Sequence, residues 1–327
     1  MPRKPPHFWN QSGSALCYLL APLSWFYRGA TFIHQSLSKP YRASVPVISI
    51  GNFVLGGAGK TPLTIAVAKK LQTMGHTPHI ISRGYGGSLS GPLQVDLDHH
   101  IFQQVGDEPL LLAKVAPTWV SRNRRAAVDL AIKAGADILL LDDAHQNHTI
   151  HKDVQIVVVN ASQGFGNGCI FPAGPLRQSI SSGLKNTSAL VFVSDDKDPL
   201  PATLSPLPCP LIRAKIVPLD LEPIAVIGFA GIGYPDKFRQ TLQTAGYNVK
   251  GFVTFPDHHP YTEEDLRKLR MRARVERASL ITTEKDMLRI PAPCRAEVLT
   301  LPIGMKFQPR TALEDLLKQV LGTYFIS

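Results

Sequence analysis

Residues 45–62 read VPVISIGNFVLGGAGKTP. Val47 to Ile50 is short, apolar and rich in β-branched side chains, which predicts a buried strand, and Pro46 falls where a strand start tolerates it. A glycine-rich turn follows, and Leu63 to Leu71 (LTIAVAKKL) has helical spacing. A strand, a Gly-rich turn closing on Gly-Lys-Thr, and a helix form the setting of a P-loop. There Gly56, Gly57, Ala58 and Gly59 let backbone N–H groups close around phosphate oxygens, Lys60 reaches the β- and γ-phosphates, and the Thr61 hydroxyl ligates Mg²⁺. The amino end of the helix adds partial positive charge. The strict pattern GxxxxGK[ST] places Gly where this chain has Val54, so Gly51, Gly56, Gly57 and Gly59 supply flexibility in another arrangement. The competing reading is a structural loop with an incidental lysine.

A P-loop enzyme also needs a carboxylate near Mg²⁺, at the end of a neighbouring strand. Residues 136–143, ADILLLDD, supply an apolar run from Ile138 to Leu141 closed by Asp142 and Asp143. The alternative is a pair of aspartates capping the next turn. Further strands are expected near 79–82 and 155–159, with helical stretches between, which describes a doubly wound α/β sheet of the P-loop NTPase kind. A polar, Pro-rich stretch at 194–210 reads as a surface loop or linker. Beyond it a strand from Ile224 to Ala230, a helix from Pro235 to Ala245 and a charged helix from Tyr261 to Arg277, opening with Thr262 and Glu264, predict a second, smaller α/β domain. The expected division is 1–42 as an amino-terminal helix region, 43–210 as the nucleotide-binding domain and 211–327 as the smaller domain.

Net charge is +10, and no acidic residue precedes Asp96, whereas nine Lys or Arg do. A positive amino-terminal third implies an anionic neighbour: nucleic acid, phospholipid headgroups or a phosphorylated substrate. Without a zinc-finger spacing, an RNP-like motif or a basic helix with interleaved aromatics, nucleic acid is the weakest of these. Residues 14–35, SALCYLLAPLSWFYRGATFIHQ, place Leu16, Leu19, Leu20, Leu23, Tyr27 and Ala30 at helical spacing, and Trp25, Phe26, Phe32 and Ile33 widen the apolar side. The uninterrupted apolar run falls short of the roughly 20 residues a membrane span needs, and Pro22 is expected to kink the helix. The segment reads as an interfacial amphipathic helix, with Arg28, Lys39 and Arg42 meeting anionic lipid, or as a helix packed on the core. A signal peptide is disfavoured, because no small-residue cleavage site precedes Trp25. Cys17, Cys169, Cys209 and Cys294 form no CxxC pair, so neither a disulfide framework nor a zinc site is expected and a reducing compartment fits.

Eight segments, in order, resemble the tetraacyldisaccharide 4'-kinase family of lipid A biosynthesis: SIGNFVLGGAGKTP (49–62), SRGYGG (82–87), VGDEPLLLA (105–113), LLDDAHQ (140–146), GFGNGCIFPAGPLRQ (164–178), GFAGIGYPDKF (228–238), FPDHHPYTEEDL (255–266) and TTEKD (282–286). The family's P-loop shares the shifted glycines. The resemblance implies Mg²⁺-dependent transfer of the ATP γ-phosphate to the 4'-hydroxyl of a tetraacyl glucosamine disaccharide 1-phosphate. It implies a peripheral enzyme at the cytoplasmic face of the bacterial inner membrane, whose partners are the acylated substrate and anionic phospholipid; a monomer and no nucleic-acid partner are expected. It points to Asp107 and His258 as the catalytic pair, without saying which takes the proton. Arg83, Tyr85 and Arg177 are candidates for sugar or phosphate contacts, and Lys285 for the nucleotide cleft. The bland readings are a helix cap at Asp107, a turn at His258 and surface ion pairs for the rest.

The chain departs from the family pattern at Ala144, His145, Asn147 and Gln178, which replace a Gly, an apolar residue, a His and a Glu. His145 and His148 are candidates to replace the missing imidazole. An active kinase remains the expectation, because Lys60, Thr61, Asp107, Asp142, Asp143 and His258 are all present. Two rivals stand beside it: another membrane-associated P-loop ATPase or GTPase, the latter without an NKxD guanine reader here, and a divergent kinase-like protein that binds nucleotide or lipid without turnover. If Asp107 and His258 meet, the site lies between the two α/β units.

Overall fold

The computed structural model describes residues 6–11, 13–195, 198–219 and 223–325. In chain order, helix α1 (Ala15–Leu37) precedes β1 (Val47–Gly51), α2 (Lys60–Thr73), β2 (Pro78–Ser82), β3 (Leu93–Gln94), α3 (Phe102–Val105) and α4 (Asp107–Ala113). Then come β4 (Thr118–Val120), α5 (Arg124–Lys133), β5 (Ile138–Asp142), β6 (Val154–Asn160), α6 (Ile180–Lys185), β7 (Ala189–Val193) and β8 (Leu211–Pro218). The remainder is β9 (Ala225–Ala230), α7 (Pro235–Thr244), β10 (Asn248–Thr254), α8 (Glu263–Val275), β11 (Ser279–Thr283), α9 (Glu284–Met287), β12 (Val298–Leu301), β13 (Ile303–Gln308) and α10 (Ala312–Phe325).

Nine strands form one sheet in the order β13-β8-β7-β6-β1-β5-β2-β4-β3, parallel except for the antiparallel pairs β13–β8 and β4–β3 at its two ends. The inner strands β1, β2, β5 and β7 are buried at every residue, because helices cover both faces of a parallel sheet. Helix α2 seals one face with Leu63, Val67, Ala68 and Leu71, none of which touches solvent. At about 1.5–3 kcal/mol for each large apolar side chain removed from water, this packing fixes where α2 begins. The expected strands near 47–50, 79–82, 138–141 and 155–159 are all present.

The second sheet is parallel, four-stranded and ordered β10-β9-β11-β12. Thr262 caps α8 in a capping box whose partner is Asp265, one residue beyond the expected Glu264. The division expected after residue 210 does not match this topology. β8 continues the large sheet beside β7, and β13 returns to pair with β8 once the small sheet is complete. The Pro-rich stretch is accordingly a β7–β8 connection within the large unit, and its Leu204 is fully buried in that core. Alternation in β8 and β13 is too weak to show from sequence which sheet each joins, since edge pairing depends on the partner strand.

Helix α1 runs unbroken through Pro22. A narrow face docks on the 165–175 loop: Ser24 Oγ donates to Ile170 O at 2.8 Å, and Tyr27 meets Phe171 edge-on. Tyr18, Leu19, Trp25, Phe26, Phe32 and Leu37 are each more than two-thirds exposed. Among the described residues, no helix is long and apolar enough to cross a membrane. The sulfurs of Cys17 and Cys169 are brought together as a single pair, in a chain whose spacing predicts no disulfide framework. Their separation of 152 residues hides the pair from any reading of spacing.

Candidate active site

The glycine-rich turn leaves β1 at the middle of the large sheet, between β5 and β6. Gly59 caps α2 at φ 98°, a left-handed conformation that favours glycine, and so delivers Lys60 into the first turn of the helix. The turn is braced by its neighbour: Leu55 N donates to Pro175 O and Arg177 N to Phe53 O, each at 2.8 Å, so the PAGPLR stretch lies along the P-loop. The Lys60 ammonium donates to Asn52 Oδ1 at 3.3 Å and Gly56 O at 3.4 Å, and lies 3.8 Å from Asp143. Burial pulls its pKa below the usual lysine range, against the attraction of Asp143.

β1 and β5 are parallel neighbours with Ile50 opposite Asp142, so the paired aspartates stand beside the phosphate-binding turn. Asp142 is buried and accepts from Ser82 Oγ at 3.3 Å and Thr64 Oγ1 at 3.5 Å. Burial first, and the adjacent Asp143 charge second, push its pKa up to about 6. Asp143 takes a left-handed backbone (φ 47°) that turns its carboxylate onto Arg177, which donates twice, at 2.7 and 3.0 Å. Burial would raise the Asp143 pKa, but Lys60 and Arg177 outweigh it and hold the carboxylate low. Arg177, read from sequence as a substrate contact, is thus engaged with a candidate metal ligand. Thr61 is the second residue of α2, half-buried at the same turn.

A raised Asp142 has a testable cost. The unfolded carboxyl ionises near pH 3.9 and the folded one near 6, so rising pH removes stability across that window. Asp142→Asn is expected to stabilise the metal-free protein at pH 7 by on the order of 3 kcal/mol, read as a higher Tm. An unchanged or lower Tm would refute the charge-burial account.

Asp107 opens α4. Gly106 before it sits at φ 90°, and a Cβ there would lie 2.5 Å from Tyr85 O, so only glycine lets the SRGYGG loop pack against this helix start. Asp107 is buried, and its Oδ2 lies 2.8 Å from Nδ1 of His258, which the small unit presents on a left-handed turn (φ 59°). The two residues therefore meet across the junction of the two units. Arg289, fully buried, donates through Nε to both Asp107 oxygens at 3.1 Å and through Nη2 to Oδ2. Burial would raise the Asp107 pKa, but the hydrogen bonds from His258 and Arg289 and the Arg289 charge bring it down to about 2.

Glu108 pairs with Lys285 of α9, so Lys285 bridges the units. The other Glu108 oxygen, Oε2, is buried with no hydrogen-bond partner among the described residues, and the Glu108 charge acts on both Lys60 and Asp142. The acidic start of α4 thus joins the Asp107–His258 pair to the phosphate-binding turn. Arg83 and Tyr85 are exposed on the loop after β2, and the Arg83 charge acts on Arg124, whose guanidinium donates to Asp143 O at 3.1 Å.

At the departures from the family pattern, Ala144 is fully buried and His145 packs edge-on against Phe53. Burial, then the Lys152 charge, drop the His145 pKa to about 4, so the ring is neutral. Asn147 Oδ1 accepts from Thr149 within its own turn. Lys152 was not foreseen: its ammonium holds that turn through the carbonyls of Ala144, His145 and Asn147 at 3.2, 2.8 and 2.7 Å. Arg289 was not foreseen either. The only sequence signal was its i+3 spacing from Asp286 at the end of TTEKD.

Among the described residues, no three His, Cys, Asp or Glu side chains converge as a preformed metal cage. A Mg²⁺ held by one or two carboxylates and substrate phosphates needs none.

The family model described as tetraacyldisaccharide-1-P 4'-kinase matches residues 16–322. A tetraacyldisaccharide 4'-kinase of Paramagnetospirillum magneticum is 43% identical over 319 residues, covering 96% of this chain and 98% of that protein. The Rhodospirillum centenum tetraacyldisaccharide 4'-kinase is 42% identical over 328 residues, covering 98% and 97%. The crystal structure described as the "apo" form of LpxK from Aquifex aeolicus in complex with ATP superposes with a TM-score of 0.72 at 25% identity, covering 93% of this chain and 99% of that one. With the match spanning both sheets and every site segment, the chain belongs to the tetraacyldisaccharide 4'-kinase family.

Proposed function

We propose that this protein transfers the γ-phosphate of ATP to the 4'-hydroxyl of a tetraacyl glucosamine disaccharide 1-phosphate, acting as a monomer at the cytoplasmic face of the inner membrane. The reading rests above all on the 2.8 Å contact between Asp107 and His258, formed where the small unit meets the unit that carries the phosphate-binding turn. In this reading the backbone of Gly56, Gly57, Ala58 and Gly59 cradles the phosphates and Lys60 neutralises charge on the transferring group. Asp107 is sealed from solvent, whereas the His258 ring is about one-third exposed. The attacking hydroxyl accordingly loses its proton to His258 Nε2, while Asp107 orients the ring and stabilises its charged form. Arg83 and Tyr85, exposed beside this pair, receive the sugar or its phosphate.

Thr61, Asp142 and Asp143 suit Mg²⁺. Two adjacent carboxylates, one of them buried and raised by the other's charge, and the orphaned Glu108 oxygen nearby are what a hard cation relieves. When bound, it would offset negative charge on the phosphates. Transfer of labelled γ-phosphate from ATP to the acylated disaccharide 1-phosphate in detergent micelles tests the reading. Turnover is expected, and no transfer by folded protein would reject it.

An acylated substrate leaves the bilayer reluctantly, at about 0.8 kcal/mol per buried CH₂, so the enzyme must come to it. The exposed apolar side chains of α1, with Arg28 on the same helix and the exposed Lys39 and Arg42 just after it in the chain, suit an interface of anionic phospholipid. Replacing Trp25, Phe26 and Phe32 together by Ser is expected to cut co-sedimentation with anionic vesicles at least about tenfold. Turnover on a short-chain, micelle-free disaccharide should stay within about twofold. Undiminished vesicle binding would remove α1 from the membrane contact.

A further inference from the structure

Arg289 is a fully buried cation held by two carboxylates from different units. Its far end is fixed first. Nη1 donates to Gly231 O at 2.7 Å and to Asp286 Oδ1 at 3.1 Å. Asp286 is in turn held by Gly231 N, Tyr261 Oη and Thr283 Oγ1 at 3.0, 3.0 and 2.7 Å. The near end, Nε and Nη2, grips Asp107, and Nη2 lies 3.2 Å from His258 Nδ1.

We propose that Arg289 is a positioning residue for phosphoryl transfer, holding Asp107 ionised and aimed so that His258 keeps its proton on Nδ1 and offers a bare Nε2 to the acceptor hydroxyl. The inference rests on the proposed roles of Asp107 and His258. An ionised carboxylate only accepts and a guanidinium only donates. With Asp107 charged, the 2.8 Å contact to Nδ1 requires Nδ1–H; Arg289 Nη2, which donates to Asp107 Oδ2, then only abuts Nδ1 as a second donor, and the Nε2 lone pair is left free. A protonated Asp107 would donate to Nδ1 instead, and the proton of a neutral ring would move to Nε2, where it blocks the base. Burial favours that protonated state, and Arg289 opposes it with charge and two-pronged geometry.

The sign of the pH effect follows from the groups that face the pair. Arg289 is the cation touching both members. Lys285 also faces Asp107 but is already matched by Glu108, and Asp257 lies 3.9 Å from His258 Nε2. Asp286 and Tyr261 face Arg289 from behind. Removing a cation favours the protonated form of every group it touched, so the acid limb of the rate profile must move to higher pH.

The measurement is kcat and KM from about pH 5 to 10 in the micelle assay, with melting curves for every variant. Arg289→Met is expected to lose at least about 10²-fold in kcat at pH 7, keep KM for ATP within about threefold, and shift the acid limb up by about one unit or more. Arg289→Lys, which keeps the charge and loses the fork, is expected to recover part of that loss, with its acid limb near wild type and kcat still about tenfold below it. A folded Arg289→Met enzyme whose loss is the same at every pH overturns the proposal and leaves Arg289 a structural tie. If Arg289→Met does not fold, Arg289→Lys decides: an undiminished kcat overturns it. Asp107→Asn run alongside separates the two levels. Full activity there removes the catalytic pair itself, whereas a loss there beside an unshifted Arg289→Met profile removes only the role of Arg289.

Discussion

Asp107→Asn lowers kcat for phosphate transfer by about 10³- to 10⁴-fold, with KM for ATP within a few-fold of wild type, in the expected outcome. The substitution keeps shape and removes charge. An Asn side chain can present its NH₂ to Nδ1, which selects the ring tautomer with the proton on Nε2 and no lone pair for the hydroxyl. The charge that would stabilise a protonated ring also disappears. Arg289, itself fully buried, loses one of its two counter-ions, although Asp286 at 3.1 Å remains. Removing one partner of a buried pair typically costs about 3–5 kcal/mol, so Tm should fall as well. Kinetics must be read at a temperature where circular dichroism shows the variant folded. Wild-type turnover in Asp107→Asn would dismiss the pair as catalytic machinery.

Lys60→Ala is expected to cost about 10³-fold in kcat/KM, through the loss of the one cation that the turn itself carries to the phosphates. In the resting protein Lys60 contacts Asn52, Gly56 and Asp143, all within its own neighbourhood. Little tertiary packing depends on it, so Tm should hardly change. Its lowered pKa reflects burial, which is also why its charge acts strongly on a ligand that shares the site. The contrast with Asp107→Asn is diagnostic: one variant is inactive and stable, the other inactive and less stable. A Lys60→Ala enzyme that retains wild-type kcat/KM would mean that the turn does not bind the transferring phosphate.

Much of this arrangement was readable from the chain because it depends on local order. The P-loop strand, turn and helix follow from Val47–Ile50, the glycines and the apolar spacing of Leu63–Leu71, all within one stretch. Asp142 and Asp143 were legible for a similar reason: an apolar run ending in a carboxylate places that carboxylate at a sheet end, and the parallel pairing of β5 with β1 then puts it at the turn. Asp107 and His258 were legible only through resemblance, since 151 residues separate them and no spacing rule joins them. Arg289, Asp286, Lys152 and the Cys17–Cys169 link escaped, each being one ordinary residue type whose significance comes from a partner distant in sequence or from a backbone carbonyl that has no letter.

The chain by itself determined the elements, the parallel core and the phosphate-binding turn, because hydrophobic periodicity and glycine placement act over a few residues. Only the tertiary structure decided that β8 and β13 close the large sheet around the inserted small one, that Lys285 is matched by Glu108, and that a buried guanidinium holds Asp107 against His258. Those outcomes depend on which groups lose water together, and desolvation in a shared interior is a property of the assembled fold rather than of any segment.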